Sequence, residues 1–153
     1  TFALRPRSRG HVHIASRDAA QAPLMVANYL AHEEDRFHAI AALRLARRVM
    51  AQPAMHRWVV REDRPGPGAG SDEELLDYIR GIGQTSYHPV GSCRMGVDDA
   101  SVVDPWLRVR GLKALRVADA SIFPTMPSAN TNAPAMMVGA RAAQFMLEAA
   151  QAR

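Results

Sequence analysis

The chain has 153 residues, 48% of them apolar and 22% charged, the profile of a soluble globular domain large enough to bury a core. No apolar run approaches the roughly 20 residues a membrane helix needs, and the single cysteine excludes an internal disulfide framework and a multi-cysteine metal site. The net charge of +4 comes from arginines scattered among acids, with no aromatic platform or groove-reading motif, which argues against nucleic acid as a partner.

The N-terminal "TFALRPRSRG" shows neither an initiator Met nor a signal-peptide pattern, so we expect a fragment or a processed chain. "SRGHVHIAS" predicts a half-buried strand, because Val12 and Ile14 alternate with His11 and His13. "APLMVANYL" predicts a second strand, and the two suggest an antiparallel sheet with one polar face. From Glu33 to about Met50 the period becomes helical, with Ala42, Leu45, Ala46, Val49 and Met50 on one face. Glu33, Glu34 and Asp35 start this helix and Arg47 and Arg48 end it, complementing its dipole; "RLARR" then reads as a solvated helix end.

"REDRPGPGAG" is a loop, and its prolines speak against a dinucleotide fingerprint at Gly66, Gly68 and Gly70. Ser71 with Glu74 forms a capping-box pattern ahead of a short helix whose buried face is Leu75, Leu76 and Ile79. After "SYHPVGSCRMG", the segment "SVVDPWLRVRGLKALRVADASIF" predicts two or three short strands, turning at Asp104-Pro105 and Gly111. A Pro- and Asn-rich loop then opens a final helix with Pro134 near its start, where a missing N–H costs nothing. Met136, Ala140, Ala143 and Leu147 share a face of it that is small enough for very close packing.

His88 leads the candidates for chemistry. Pro89 restricts its backbone and Gly91 permits a sharp turn or a close approach, so the ring is held still. Imidazole exchanges protons near neutral pH, which suits a general base; the competing reading is a turn histidine that satisfies backbone carbonyls. Asn130 and Asn132 precede a helix N-terminus that attracts negative charge, and either could instead be an ordinary cap. Asp119 ends an apolar strand, where an acid binds a ligand or caps a turn. Cys93, five residues after His88, lacks a third group to orient a nucleophilic pair, and a lone Cys fits a reducing, cytoplasmic setting. His11 and His13 lack a third metal ligand, so we expect no metal site.

"YHPVGSCRMG" followed by "VVDPWLRVRGLKALRVADASIFPTMPSANTNAPAMM" resembles the C-terminal part of the glucose–methanol–choline (GMC) oxidoreductases, above all the choline-dehydrogenase-like and alcohol-dehydrogenase-like members. "LRPRSRGHVHIAS", "NYL", the Arg-rich helix and "SDEELLDYIR" occur in the family's order, so the resemblance covers nearly the whole chain. It implies an α+β fold: an antiparallel sheet with packed helices of the substrate-domain type, then a segment that completes a Rossmann-type FAD domain. Residues 1–100 would be the substrate-domain portion carrying the histidine turn, and 101–153 the segment closing the FAD domain.

The resemblance further implies an FAD-dependent enzyme that oxidises an alcohol. The family's catalytic positions fall on His88 and Asn132, and its cofactor-binding positions on Asp119, Ala120, Asn132, Ala133 and Pro134. His88 would take the hydroxyl proton and Asn132 would hold the same oxygen, while the helix near Pro134 aims its positive end at the flavin. The family's N-terminal Gly-x-Gly-x-x-Gly is absent, Ser92 and Ala135 stand where Thr is common, and most of the Rossmann domain is missing. We therefore expect the chain alone not to retain FAD, its partner to be the N-terminal FAD portion, and its uncovered apolar surface to favour homo-oligomers. The alternative is a non-catalytic interaction module that keeps the fold.

Overall fold

The computed structural model, which describes residues 1–152, is α+β with two short antiparallel strands and three α-helices. It gathers into two units, Thr1–Ser86 and the residues from Tyr87 onward.

In the first unit, β1 (His11–His13) pairs with β2 (Leu24–Val26), with His11 opposite Val26 and His13 opposite Leu24. A Cβ on Gly10 would lie 2.1 Å from the Val26 carbonyl oxygen, so only glycine lets the chain enter this ribbon. The expected half-burial is corrected: Val12 and every other residue of both strands are exposed. A two-stranded ribbon has no layer of its own to cover either face.

Helix α1 (Glu33–Met50) has the predicted acidic first turn and basic last turn, and the His32 ring accepts the Glu34 N–H. Its buried residues are Asp35 and Ile40, whereas Leu45, Val49 and Met50 of the predicted apolar face are exposed. The apolar pattern marks a face that favours burial without specifying what covers it. Helix α2 (Asp72–Ile82) packs on α1 and buries Leu75 completely. Its capping box is formed: Ser71 Oγ accepts the Glu74 N–H, and the Glu74 carboxylate accepts the N–H groups of Ser71 and Gly70. Those bonds, the Ser71 N–H first, hold the Glu74 carboxyl below its usual range.

The solvated reading of "RLARR" holds for Arg44 and Arg48, which are exposed, and is corrected at Arg47. Arg47 is half-buried and forks onto Glu62 at 2.8 and 3.0 Å, while the same guanidinium donates to the carbonyls of Gly66 (3.0 Å) and Ala69 (2.7 Å). The Pro-Gly loop offers carbonyls without a ladder to satisfy them, and the planar five-donor fork of arginine meets several at once.

In the second unit the predicted short strands are single bridges, Met95–Val103, Val103–Val109 and Arg108–Arg116. The Asp104 carboxylate curls the chain directly after Val103. It accepts the N–H groups of Trp106 (2.9 Å) and Arg108 (3.0 Å) and the Arg108 Nε at 2.7 Å, closing a turn over residues 104–108. A 3₁₀ turn (Ala120–Ile122) and α3 (Asn132–Gln151) complete the unit. Val103, Leu107, Ile122, Val138 and Ala142 form its core, with Met95, Val117, Phe123 and Phe145 packed around them. Each buried Val, Leu or Ile side chain of this core stabilises the unit by about 1.5–3 kcal/mol. Met136, Ala140, Ala143 and Leu147 face outward from α3, as expected of this chain on its own. Among the described residues no helix is long and apolar enough to cross a membrane.

Candidate active site

The histidine turn is built on strain and straps. Tyr87, immediately before His88, sits at φ 61°, a left-handed conformation that costs a non-glycine residue roughly 1–2 kcal/mol. Gly91 follows at φ 90°, where a Cβ would press to 3.3 Å from the Phe123 carbonyl oxygen. Two backbone bonds then tie the turn to the 3₁₀ segment: Cys93 N–H to Ser121 O at 3.0 Å and Met95 N–H to Ile122 O at 2.8 Å. That segment is capped in turn by Asp119, whose Oδ1 accepts the Ser121 N–H at 2.8 Å. Beyond the turn, Arg94 grips Asp98 through two bonds of 2.9 and 2.7 Å. The guanidinium hydrogen bonds hold the Asp98 carboxyl well below the usual carboxylate range and raise the Arg94 pKa.

The half-buried His88 ring places Nδ1 2.9 Å from Oγ1 of Thr131. Thr131 is buried and is the N-cap of α3, so the imidazole stands at the residue directly before Asn132 and the first helical turn. Sequence positions 43 apart are thus brought together. Asn132, Ala133 and Asn130 are exposed, and Pro134 is half-buried as the third helical residue. No side chain caps this helix start, which leaves the N–H groups of Asn132 and Ala133 available to an electron-rich group. Asp119 is exposed and Ala120 half-buried. Cys93 is half-buried and serves the turn through its backbone. The rings of His11 and His13 lie 4.8 Å apart, and among the described residues no group of three or more His, Cys, Asp or Glu could hold a metal.

Thr131 is the residue that sequence reasoning missed. Its neighbours Asn130 and Asn132 drew attention as amides, yet Pro134 carried a signal. A proline at the third helical position removes one of the two N–H groups that an N-cap hydroxyl ordinarily accepts, which favours another partner for that hydroxyl.

A family model described as GMC oxidoreductase matches residues 6–139. The chain belongs to the GMC oxidoreductase family. It is 45% identical over 144 residues to an alcohol dehydrogenase (acceptor) of Pseudomonas putida, a match spanning 94% of this chain and 26% of that protein. It is 46% identical over 140 residues to the oxygen-dependent choline dehydrogenase of Chromohalobacter salexigens, covering 92% of this chain and 25% of that one. Among solved structures, an FAD-dependent oxidoreductase from Chaetomium thermophilum superposes with a TM-score of 0.91 at 27% identity, covering 97% of this chain and 26% of that chain. The chain therefore spans about a quarter of the length of the curated relatives it matches. GMC oxidoreductases are FAD-dependent.

Proposed function

We propose that this chain is the C-terminal catalytic portion of an FAD-dependent oxidoreductase acting on the CH–OH group of an alcohol. The observation that supports this best is the His88–Thr131 hydrogen bond, which puts a restrained imidazole beside the start of α3. His88 takes the hydroxyl proton, and Asn132 hydrogen-bonds the same oxygen and orients the alcohol. This positioning replaces random encounter with a fixed geometry, the main protein contribution to such a reaction.

The helix start fits FAD: the N–H groups of exposed Asn132 and Ala133 stand in an uncapped first turn, and the adjoining Pro134 has no N–H to leave unsatisfied. Asp119 and Ala120 would hold the cofactor's phosphate and ribityl region. When bound, FAD supplies the acceptor for the hydride that leaves the alcohol carbon. The helix dipole then favours the negative charge that accumulates near it.

In this reading residues 1–100 belong to a substrate domain and 101–153 close the FAD domain of a longer, cytoplasmic protein. The exposed face of α3, with Met136, Ala140 and Ala143, is the surface that the N-terminal portion covers; in the chain alone it favours self-association. The test is a visible spectrum of the chain alone and of the chain co-expressed with the coding sequence upstream of it. The chain alone should hold no stoichiometric flavin, and the co-expressed protein should hold one per chain. A stable co-expressed protein without flavin would instead favour a non-catalytic interaction module.

A further inference from the structure

An N-cap side chain ordinarily accepts an N–H of the second or third helical residue from an extended backbone, whereas Thr131, the N-cap of α3, is already helical at φ −79° and ψ −7°. In α3 the third residue is Pro134, without an N–H, and Thr131 makes no capping bond. Its Oγ1 meets Nδ1 of His88 at 2.9 Å instead, with Thr131 buried and His88 half-buried, so water competes poorly for either atom.

Two arrangements satisfy that distance. If the hydroxyl donates to Nδ1, the ring proton lies on Nε2, which then has no lone pair for an incoming proton. If the hydroxyl accepts from Nδ1–H, Nε2 carries the lone pair. Only the second arrangement persists after the ring gains a proton, because both ring nitrogens of imidazolium are donors. A base held by the first arrangement would have to break its own support in order to act.

We infer that Thr131 is a positioning residue that accepts Nδ1–H and fixes the His88 tautomer whose Nε2 is the base. The inference rests on the reading of His88 as the group that takes the alcohol proton. In that transfer the alcohol O–H bond breaks, an Nε2–H bond forms, and the electron pair stays on oxygen. The Nδ1–H···Oγ1 bond is kept throughout, so the ring need not reorient between the two protonation states.

Histidine-selective 15N NMR of the chain tests this, with the His88 signals identified by their loss in His88→Gln. At a pH where the ring is neutral, the wild type should show a protonated Nδ1 and a lone-pair Nε2. Thr131→Val, which keeps the shape and removes the hydroxyl, should give a mixture of tautomers, and Thr131→Ser should restore the wild-type pattern. In the flavin-loaded co-expressed protein, Thr131→Val should lower kcat about five- to tenfold with KM nearly unchanged, the scale of one hydrogen bond. A wild-type ring protonated at Nε2, or a Thr131→Val spectrum identical to wild type, would overturn the inference. The NMR readout involves no flavin. A pinned Nδ1–H tautomer in a protein that never binds flavin would sink the oxidoreductase reading alone, and an Nε2–H tautomer in an enzyme whose flavin bleaches would sink the Thr131 role alone.

Discussion

Asp35 is 4% exposed and acts as the acceptor for the segment that leads into β1. Its Oδ1 takes the Arg7 N–H at 2.7 Å, and its Oδ2 takes the Ser8 N–H at 2.6 Å and the Ser8 hydroxyl at 2.5 Å. Ser8 Oγ in turn accepts the His32 N–H at 3.1 Å, which joins this knot to the start of α1. Replacing Asp35 with Ala leaves two part-buried backbone donors, the N–H groups of Arg7 and Ser8, without this acceptor. A buried orphan costs about 1–3 kcal/mol and these two are partly reached by water, so Asp35→Ala should lose roughly 1–3 kcal/mol in total, out of the 5–15 kcal/mol typical of a domain.

Asp35→Asn keeps one acceptor oxygen and should lose about half as much. Burial pushes the Asp35 carboxyl up, but the Ser8 hydroxyl and the N–H groups of Arg7 and Ser8 together outweigh it, and the folded pKa lies below the ordinary value. A depressed folded pKa means that the contribution is fully present above the unfolded carboxylate pKa of about 3.9 and is lost as pH falls through the lower folded value. Urea denaturation of the three proteins at pH 7 and at pH 3, with amide exchange of Arg7 and Ser8, measures both effects. An Asp35→Ala loss below about 1 kcal/mol would refute the reasoning. So would Arg7 and Ser8 amides that exchange at unfolded-chain rates in the wild type.

Two other substitutions probe the supports described above. Arg47→Lys keeps the charge but not the fork that joins Glu62 to the carbonyls of Gly66 and Ala69; it should cost about 1–2 kcal/mol and speed limited proteolysis within residues 62–70. Gly91→Ala meets both a positive φ and the Phe123 carbonyl, so thermal unfolding should show a loss of about 1–2 kcal/mol, and kcat of the flavin-loaded protein should fall as the histidine turn shifts.

Where sequence signals are local, they were legible. The charge gradient of Glu33–Arg48 set the bounds of α1, and Ser71 with Glu74 set the start of α2, because dipoles and caps act within one helical turn. The long motif around His88 carried the family, and Pro89 with Gly91 marked a constrained turn. What remained hidden depends on contacts between distant positions. Arg47 gives no local sign that loop carbonyls up to 22 residues away will surround it. Asp35 reads as one more helix-start acid, though its main partners lie 27 and 28 residues upstream. Alternation in β1 predicted a strand but not what would cover it. Thr131 lay among polar loop residues, and only the consequence of Pro134 for capping set it apart.

The account stands or falls on His88 as the group that takes the alcohol proton. The direct measurement is the visible spectrum of the flavin-loaded, co-expressed protein under anaerobic conditions, titrated with a panel of alcohols, beside the same protein carrying His88→Ala. The account predicts flavin bands that bleach with at least one alcohol in the wild type, and bands still present but at least a hundredfold slower to bleach in the variant, the lower end of what a positioned acid–base group contributes. Equal bleaching rates in the two proteins would contradict it.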